Sequence, residues 1–500
     1  MSEADDETHS ELEEQSDKRS SLKRNFALLV GTQMATWSMA IVLSVVTQRV
    51  LGTNDYGVLG TAAALWAVAI VIAGLGGNTL VSVDLARDRV RGRSTVANAF
   101  AARSVAFSVV AVAAMFIAFK LFDRTTLQVV AIGAVGALFT LQSELSRSAL
   151  NSVDRFAIMA KLDIVAKIGI VVVGCAVLLL GGGVLAFSGV AAAVSVCVGA
   201  MALMRTRQLA SGPFRWTREG MIDMSRRGSV YLFTDVVYVV YSQIDVLIIA
   251  SIASKTEVGY YNSAGLLVGS LVFIPSILMI TAFPRMARLH QEDPNAGAML
   301  IGNSIRSIIL IAFPTCLGAA LVAEQVVVLQ GGEAFRPASQ VLVVFTVALG
   351  AQFLNILLGN YLISIDRTRF FNGLLFCMAA ITIPLDLILV PFTRNRFDNG
   401  AIGGAMATVI TEVIMVVAMA TLLGRVILTR RLLVRFAKAG TAAVAMLAAV
   451  WPLREEVLPV PIAVGAVTYV GVLILLRAFE PDELELLRGV SRRLSLRRRG

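Results

Sequence analysis

Residues 229–290 read SVYLFTDVVYVVYSQIDVLIIASIASKTEVGYYNSAGLLVGSLVFIPSILMITAFPRMARLH. Two apolar segments flank a short polar hinge, SKTEVGYYN. Asp235 and Asp245 sit inside the first segment, Pro275 and Pro284 inside the second. An earlier stretch, TQRVLGTNDYGVLGTAAALW (47–66), carries a related hairpin. In one constant register Asp55 falls on Glu257, Gly57 on Gly259 and Leu65 on Leu267. A hairpin written twice, nearly half a chain apart, predicts two copies of one unit.

The rest of the chain agrees with segments of this kind. Of 500 residues, 57% are hydrophobic and 16% charged, and the mean hydropathy is +0.77. A soluble protein of this size would need far more polar surface to cover its core. The apolar runs reach twenty residues or more, enough to cross a hydrocarbon layer of about 30 Å. They are continuously apolar rather than alternating, which argues against a β-barrel. The expectation is an all-α polytopic membrane protein with about fourteen transmembrane helices, the first at 25–48 and the last at 457–477.

Several chemistries are disfavoured at once. Cys175, Cys197, Cys316 and Cys377 each lie in an apolar run without ligand spacing and read as small buried hydrophobes. The only histidines are His9 and His290, so neither a metal site nor histidine catalysis is expected. No GxxxxGK[ST] phosphate loop occurs. The reading is of a non-enzyme without cofactors and without nucleic-acid partners. Residues 1–24 are polar and acidic and read as a disordered tail rather than a signal peptide.

Loop charge gives the orientation. When alternate loops are grouped, one side holds the great majority of the 44 Lys and Arg residues. Lys and Arg mark the cytoplasmic side, so both termini are expected there, in a multi-pass protein of the cell membrane. The repeat also extends past the hairpin. Asp154-Arg155 matches Asp366-Arg367, and the Gly- and Ala-rich start GGGVLAFSGVAAA matches NGAIGGAMATVIT. Each copy holds an even number of spans, so both insert the same way round, related by an axis along the membrane normal. The domains expected are a tail (1–24), a six-helix bundle (25–204), a basic linker (205–226) and a second six-helix bundle (227–424). Two extra helices (425–479) and a basic amphipathic tail (480–500) follow, the tail suited to lying on an anionic leaflet. Gly181, Gly182 and Gly183 predict a tight helical hairpin between spans five and six.

Four stretches in order resemble one family. RVLGTNDYGVLGTAAAL, QIDVLIIASIASKTEVGYYNSAGLL followed by Pro284, LQGGEAFRPASQVLVV and DNGAIGGAMATVITE are similar to elements of the oligosaccharide flippases of the MOP exporter superfamily, the Wzx-like polysaccharide transporter branch. The resemblance covers roughly residues 25–424. It implies a transporter that moves a lipid-linked oligosaccharide or polysaccharide repeat unit from the cytoplasmic to the outer leaflet. It also implies two bundles around a cavity that opens alternately to either side. Its partners would be the lipid-linked glycan, membrane lipids, and the glycosyltransferases and polymerase of the same pathway. Many relatives have twelve spans, and this chain has two more.

Such a substrate has a phosphate-bearing sugar head and a long apolar tail. The head needs polar walls, and arginine suits its phosphate best. Charged groups within spans are expensive and therefore candidate site residues. Arg49 ends span one, and Lys167 lies two turns into span five, four residues after Asp163, with which it could simply pair. Arg103 and Arg306 read as side chains reaching the cytoplasmic surface. Gln33, Asn78, Tyr238 and Tyr241 complete the substrate-binding candidates, Tyr238, Tyr241 and Asp245 forming an i, i+3, i+7 stripe. The ion-coupling candidates, for a proton or sodium, are Asp235 and Asp245, read as sharing a face of span seven, with Glu144 and Glu412. Asp84 and Asp386 read as structural. The alternatives are a secondary multidrug or cation antiporter of the same superfamily and a membrane-embedded glycan polymerase or ligase. The first would show carboxylates without arginines in one cavity. The second would need a large outer loop, and every outer loop here is short.

Overall fold

Backbone amides buried in hydrocarbon have no water to bond, so a spanning segment must satisfy them internally. The apolar runs meet that demand as helices. A computed structural model describes residues 38–87, 92–153, 155–208, 215–424, 429–453 and 456–479. The acidic tail 1–24, Gln33 and the basic tail 480–500 lie outside the described residues.

Sixteen α-helices follow in order. They are α1 (Ser38–Gly74), α2 (Gly77–Arg87), α3 (Gly92–Leu121), α4 (Arg124–Asn151), α5 (Phe156–Leu179), α6 (Val184–Arg207), α7 (Arg218–Ile252) and α8 (Lys255–Leu271). Next come α9 (Phe273–Glu292), α10 (Pro294–Leu321), α11 (Ala323–Gly331), α12 (Ala338–Ser364), α13 (Thr368–Phe397), α14 (Ala401–Leu422), α15 (Arg430–Val450) and α16 (Pro459–Leu475).

Twelve described helical segments are long and apolar enough to cross a membrane, and Pro459–Leu475 is a shorter apolar helix. The sequence reading expects fourteen. The difference lies in the first two expected spans, which fall in one helical run. That run is broken only at Gly52, where φ is +73° and ψ −176°. Glycine adopts that conformation without strain. The second expected span breaks again at Leu75 and Gly76, with φ of 51° and 63°.

Helix starts follow local chemistry. Asp123 accepts from the Thr125 and Thr126 amides to cap α4, and Asp293 accepts from Asn295 N to cap α10. SKTE forms a capping box on α8. Ser254 accepts from Glu257 N at 3.3 Å, and the Glu257 carboxylate accepts from Ser254 N at 2.6 Å. The expected polar hinge is therefore mostly the first turns of a helix. The glycine hairpin is as expected, α5 and α6 joined through Gly181 at φ +89°.

The chain divides into two compact units, Met1–Leu51 with Ala69–Phe233, and Gly52–Val68 with Thr234–Gly500. In the first unit α4 packs along α6 and α3, and Leu80, Val81, Phe100, Leu145 and Ala149 form a core. In the second, α12 is the hub, packed by α8, α9, α10, α13 and α14. Phe335, Leu342, Phe353 and Leu357 are fully buried there. Between apolar helices in lipid, attraction comes mainly from close packing rather than from expulsion of water.

The second unit also holds the repeated hairpin, with both copies in contact. A Cβ on Gly57 would collide with the Lys255 carbonyl, and one on Gly259 with the Thr53 carbonyl. Thr53 and Lys255 are themselves repeat equivalents, as are Gly57 and Gly259. The contact is reciprocal, as a local two-fold relation between the two short segments would make it.

Candidate functional site

The spacing of α7 and α14 builds a polar interior in the second unit. On α7, Tyr238, Tyr241 and Asp245 recur at helical spacing and line one cavity. On α14, Thr408 and Glu412 stand one turn apart and line it too. Gln352 and Asn355 come from α12 and Tyr261 from α8. The cavity measures about 680 Å³. Its walls contain carboxylates, tyrosines, amides and hydroxyls, with no Lys or Arg among the described lining residues.

Two carboxylates are held differently. Glu412 is fully engaged, accepting from Tyr241 Oη at 3.1 Å, Gln352 Nε2 at 3.3 Å and Asn355 Nδ2 at 2.5 Å. Asn355 also donates to the Glu412 carbonyl at 3.0 Å. Four hydrogen bonds from three side chains on two other helices therefore meet at one residue. Asp245 is bonded to Tyr261 and Thr408 through one oxygen only. Its Oδ2 accepts from Tyr261 Oη at 2.6 Å and Thr408 Oγ1 at 2.8 Å. Asp245 and its neighbour Asp386 on α13 are in side-chain hydrogen-bonding contact, carboxyl to carboxyl. Apart from each other, Asp245 Oδ1 and both Asp386 oxygens have no hydrogen-bond partner. Asp386 is fully enclosed, at 0% exposure. Two buried carboxyls side by side are satisfied when one proton is shared between them. Among the described residues no group of three or more His, Cys, Asp and Glu is placed to hold a metal ion.

The structure separates Asp235 from Asp245. Asp235 is half-buried and does not line the cavity. Ten residues at about 100° each fall about 80° short of three turns, so the two carboxylates leave α7 in different directions.

The other candidates lie in the first unit. Arg49 is exposed, three residues before the Gly52 break. Lys167 is exposed on α5. Asp163 pairs not with Lys167 but with Arg147 of α4, in a two-pronged bridge of 2.6 and 2.7 Å. A guanidinium fork across two helices fits a carboxylate better than an ammonium on the same helix. Glu144 is half-buried on α4, one turn before Arg147. Asp84 pairs with Arg227 at 2.5 Å. Asn78 is engaged by a residue the sequence reading sends to the surface. Arg103 is 1% exposed, and its Nη1 donates to Asn78 Oδ1 at 2.8 Å. The side chain packs beside Gly74 and Gly77, at the break between α1 and α2.

Sequence reasoning missed Tyr261 and Thr408 and set Asp386 aside. Thr408 had a signal, standing four residues before Glu412 on the same helical face. Tyr261 lay in what reads as a loop hinge and gave none.

With this geometry in view, the comparisons with known proteins take their place. The chain belongs to the family described as polysaccharide biosynthesis protein, whose model matches residues 22–290. A curated relative is the probable low-salt glycan biosynthesis flippase Agl15 of Haloferax volcanii, 24% identical over 172 residues. That similarity covers 34% of this chain and 35% of the relative, so it spans about a third of the relative's length. Among solved structures, the lipid II flippase MurJ in an inward closed conformation superposes with a TM-score of 0.74 at 13% identity, over 90% of this chain and 99% of that one. An inward-facing multidrug resistance MATE transporter of the MOP superfamily gives 0.59 at 12% identity, over 78% and 94%. The fold is that of these transporters.

Proposed function

We propose that the protein flips a lipid-linked oligosaccharide or polysaccharide repeat unit from the cytoplasmic to the outer leaflet by alternating access, with both termini in the cytoplasm. One observation carries the reading. A chain of the polysaccharide biosynthesis family holds, among its apolar helices, a cavity of about 680 Å³ whose apolar walls carry carboxylates, tyrosines, amides and hydroxyls. A sugar head can leave water only along such walls, because its hydroxyls find no partners in hydrocarbon. The apolar tail stays in lipid. The relatives named above, a probable glycan flippase and a lipid II flippase, support the same assignment. The uneven Lys and Arg distribution supports the orientation.

Within this reading the second-unit carboxylates serve the coupling ion. Asp245 and Asp386 are buried carboxyls in hydrogen-bonding contact with each other and with few other partners, an arrangement that suits a proton or an alkali cation. Glu412, with all its bonds made, orients Tyr241 and Asn355. Tyr238 and Tyr241 face the cavity and are placed to meet sugar hydroxyls. Arg49 and Lys167 are assigned to the phosphate, and the glycosyltransferases and polymerase of the pathway are the protein partners.

A second reading has one observation in its favour. The cavity is acidic and lined by no Lys or Arg among the described residues, as a cation antiporter would require. Deletion of the gene, with mass spectrometry of lipid-linked sugars, separates the two. A glycolipid should accumulate facing the cytoplasm, and plasmid-borne wild type should clear it. Unchanged glycolipid levels, together with new sensitivity to cationic drugs, would replace flipping by antiport.

A further inference from the structure

The cavity of the second unit holds more polar groups than its carboxylates employ, and the surplus points to an occupant. Tyr241, Gln352 and Asn355 bond Glu412, and Tyr261 and Thr408 bond Asp245. The hydroxyls of Ser242, Thr382 and Thr411 donate back to carbonyls of their own helices, a bond that short polar side chains commonly make. The Asn262 nitrogen and Asn355 Oδ1 are unbonded but enclosed. Three lining groups keep hydrogen-bonding capacity within reach of a ligand. The Tyr238 side chain is 62% exposed, and its hydroxyl has no partner among the described residues. The Gln243 amide on α7 is half-buried and likewise has none. Asn360 of α12 donates its amide nitrogen to the Ile356 carbonyl at 2.8 Å and leaves its oxygen free.

These groups define what they can recognise. A primary amide and a phenol each donate and accept, and a sugar hydroxyl does the same. The rest of the wall is mainly apolar and includes Phe345 and Phe371, so a few polar groups can orient a ligand that apolar surface encloses. An acidic sugar meets the same cavity differently. Its carboxylate or sulfate only accepts, and it loses water on entry. No Lys or Arg stands among the described lining residues to compensate it, while Asp245 and Glu412 line the same space. A buried charge without a counter-charge is costly, and like charges brought together raise that cost. Exclusion of this kind discriminates without any added contact to the favoured sugar.

We propose that this cavity selects uncharged sugar units, whose hydroxyls are met by Gln243, Tyr238 and Asn360, and turns away units that bear a carboxylate, sulfate or phosphate. This rests on the flippase reading and deepens it. The glycan unit that enters the second unit is neutral, and the phosphate of the carrier lipid stays outside this cavity.

The test uses the purified full-length protein in proteoliposomes. Two polyprenyl-diphosphate trisaccharides are supplied that differ only in the terminal residue, glucose in one and glucuronic acid in the other, and the rate at which each crosses the bilayer is measured. The wild type should move the glucose lipid about tenfold faster or more. Gln243→Ala should slow the glucose lipid about threefold or more, because a donor and an acceptor are lost. Gln243→Arg should narrow the ratio between the two lipids to about threefold or less, because a guanidinium pairs with the uronate. Equal rates in the wild type, or a faster glucuronate lipid, overturn the inference while flipping itself stands, whether or not a variant folds. So does a Gln243→Arg protein that moves the glucose lipid and keeps the wild-type ratio. If neither lipid crosses, the flippase reading falls and the inference falls with it.

Discussion

The two compact units differ in what they bury. In the first unit the enclosed charge is a cation, Arg103, held by Asn78 beside a helix break. In the second, among the described residues, four carboxylates, Asp245, Glu257, Asp386 and Glu412, are enclosed and one cation, Arg435. Their helices also bend by different chemistry. The first copy breaks at Gly52 and at Leu75–Gly76, all at positive φ. The second carries Pro284 in α9, Pro314 in α10, and Pro384 and Pro391 in α13. Pro275 follows the α8–α9 break closely, having no amide to bond the carbonyl four residues back.

The reciprocal glycine contact gives the largest test of that comparison. Gly57→Val should destabilise by about 3 kcal/mol or more, because the new side chain meets backbone that cannot turn away. Gly259→Val should do the same to a similar degree. Size-exclusion yield and thermal unfolding would measure both, and a tolerant Gly259 with an intolerant Gly57 would break the two-fold relation.

Next in size is Arg103→Ala. Loss of a charge-assisted hydrogen bond and the void left behind should destabilise by about 3 kcal/mol, read as a lowered unfolding midpoint. The matching change in the other unit should behave oppositely. Asp245→Asn keeps the shape, so its unfolding midpoint should stay near that of the wild type. Flipping in proteoliposomes should fall about tenfold and lose its response to a sodium or pH gradient. If Asp245→Asn unfolds the protein while Arg103→Ala abolishes coupling, the roles assigned to the two units are reversed.

Smaller effects sharpen the edges. Ser254→Ala removes half of the capping box on α8 and should destabilise by about 1 kcal/mol. Lys167→Ala, on an exposed face of α5, should lie within about 0.5 kcal/mol in stability. Its flipping rate then tests the phosphate assignment by itself, since a marked loss could not be traced to misfolding.

Much of this was legible in residues 229–290 and their echo. Apolar run length set the spans, since hydrocarbon thickness is a constant of the environment. The SKTE capping box and the glycine hairpin are local, and local chemistry reads directly from sequence. Other features resisted for equally physical reasons. Arg103 reads as a surface residue from its place near a span end, yet a neighbouring helix break encloses it. Asp235 and Asp245 look alike along the chain, and only the phase of α7 separates them. Lys167 has a carboxylate one turn away, but Arg147 takes it from another helix.

By itself the sequence determined the membrane setting, the helical class and the family, because each rests on composition, length or order along the chain. Only the tertiary structure decided which charges are enclosed and with what partners. Asp245 meets Tyr261 and Thr408, Glu412 meets Asn355, and Arg103 meets Asn78. Those partners come from different helices, and a buried polar group is defined by what packing brings to it rather than by its neighbours in sequence.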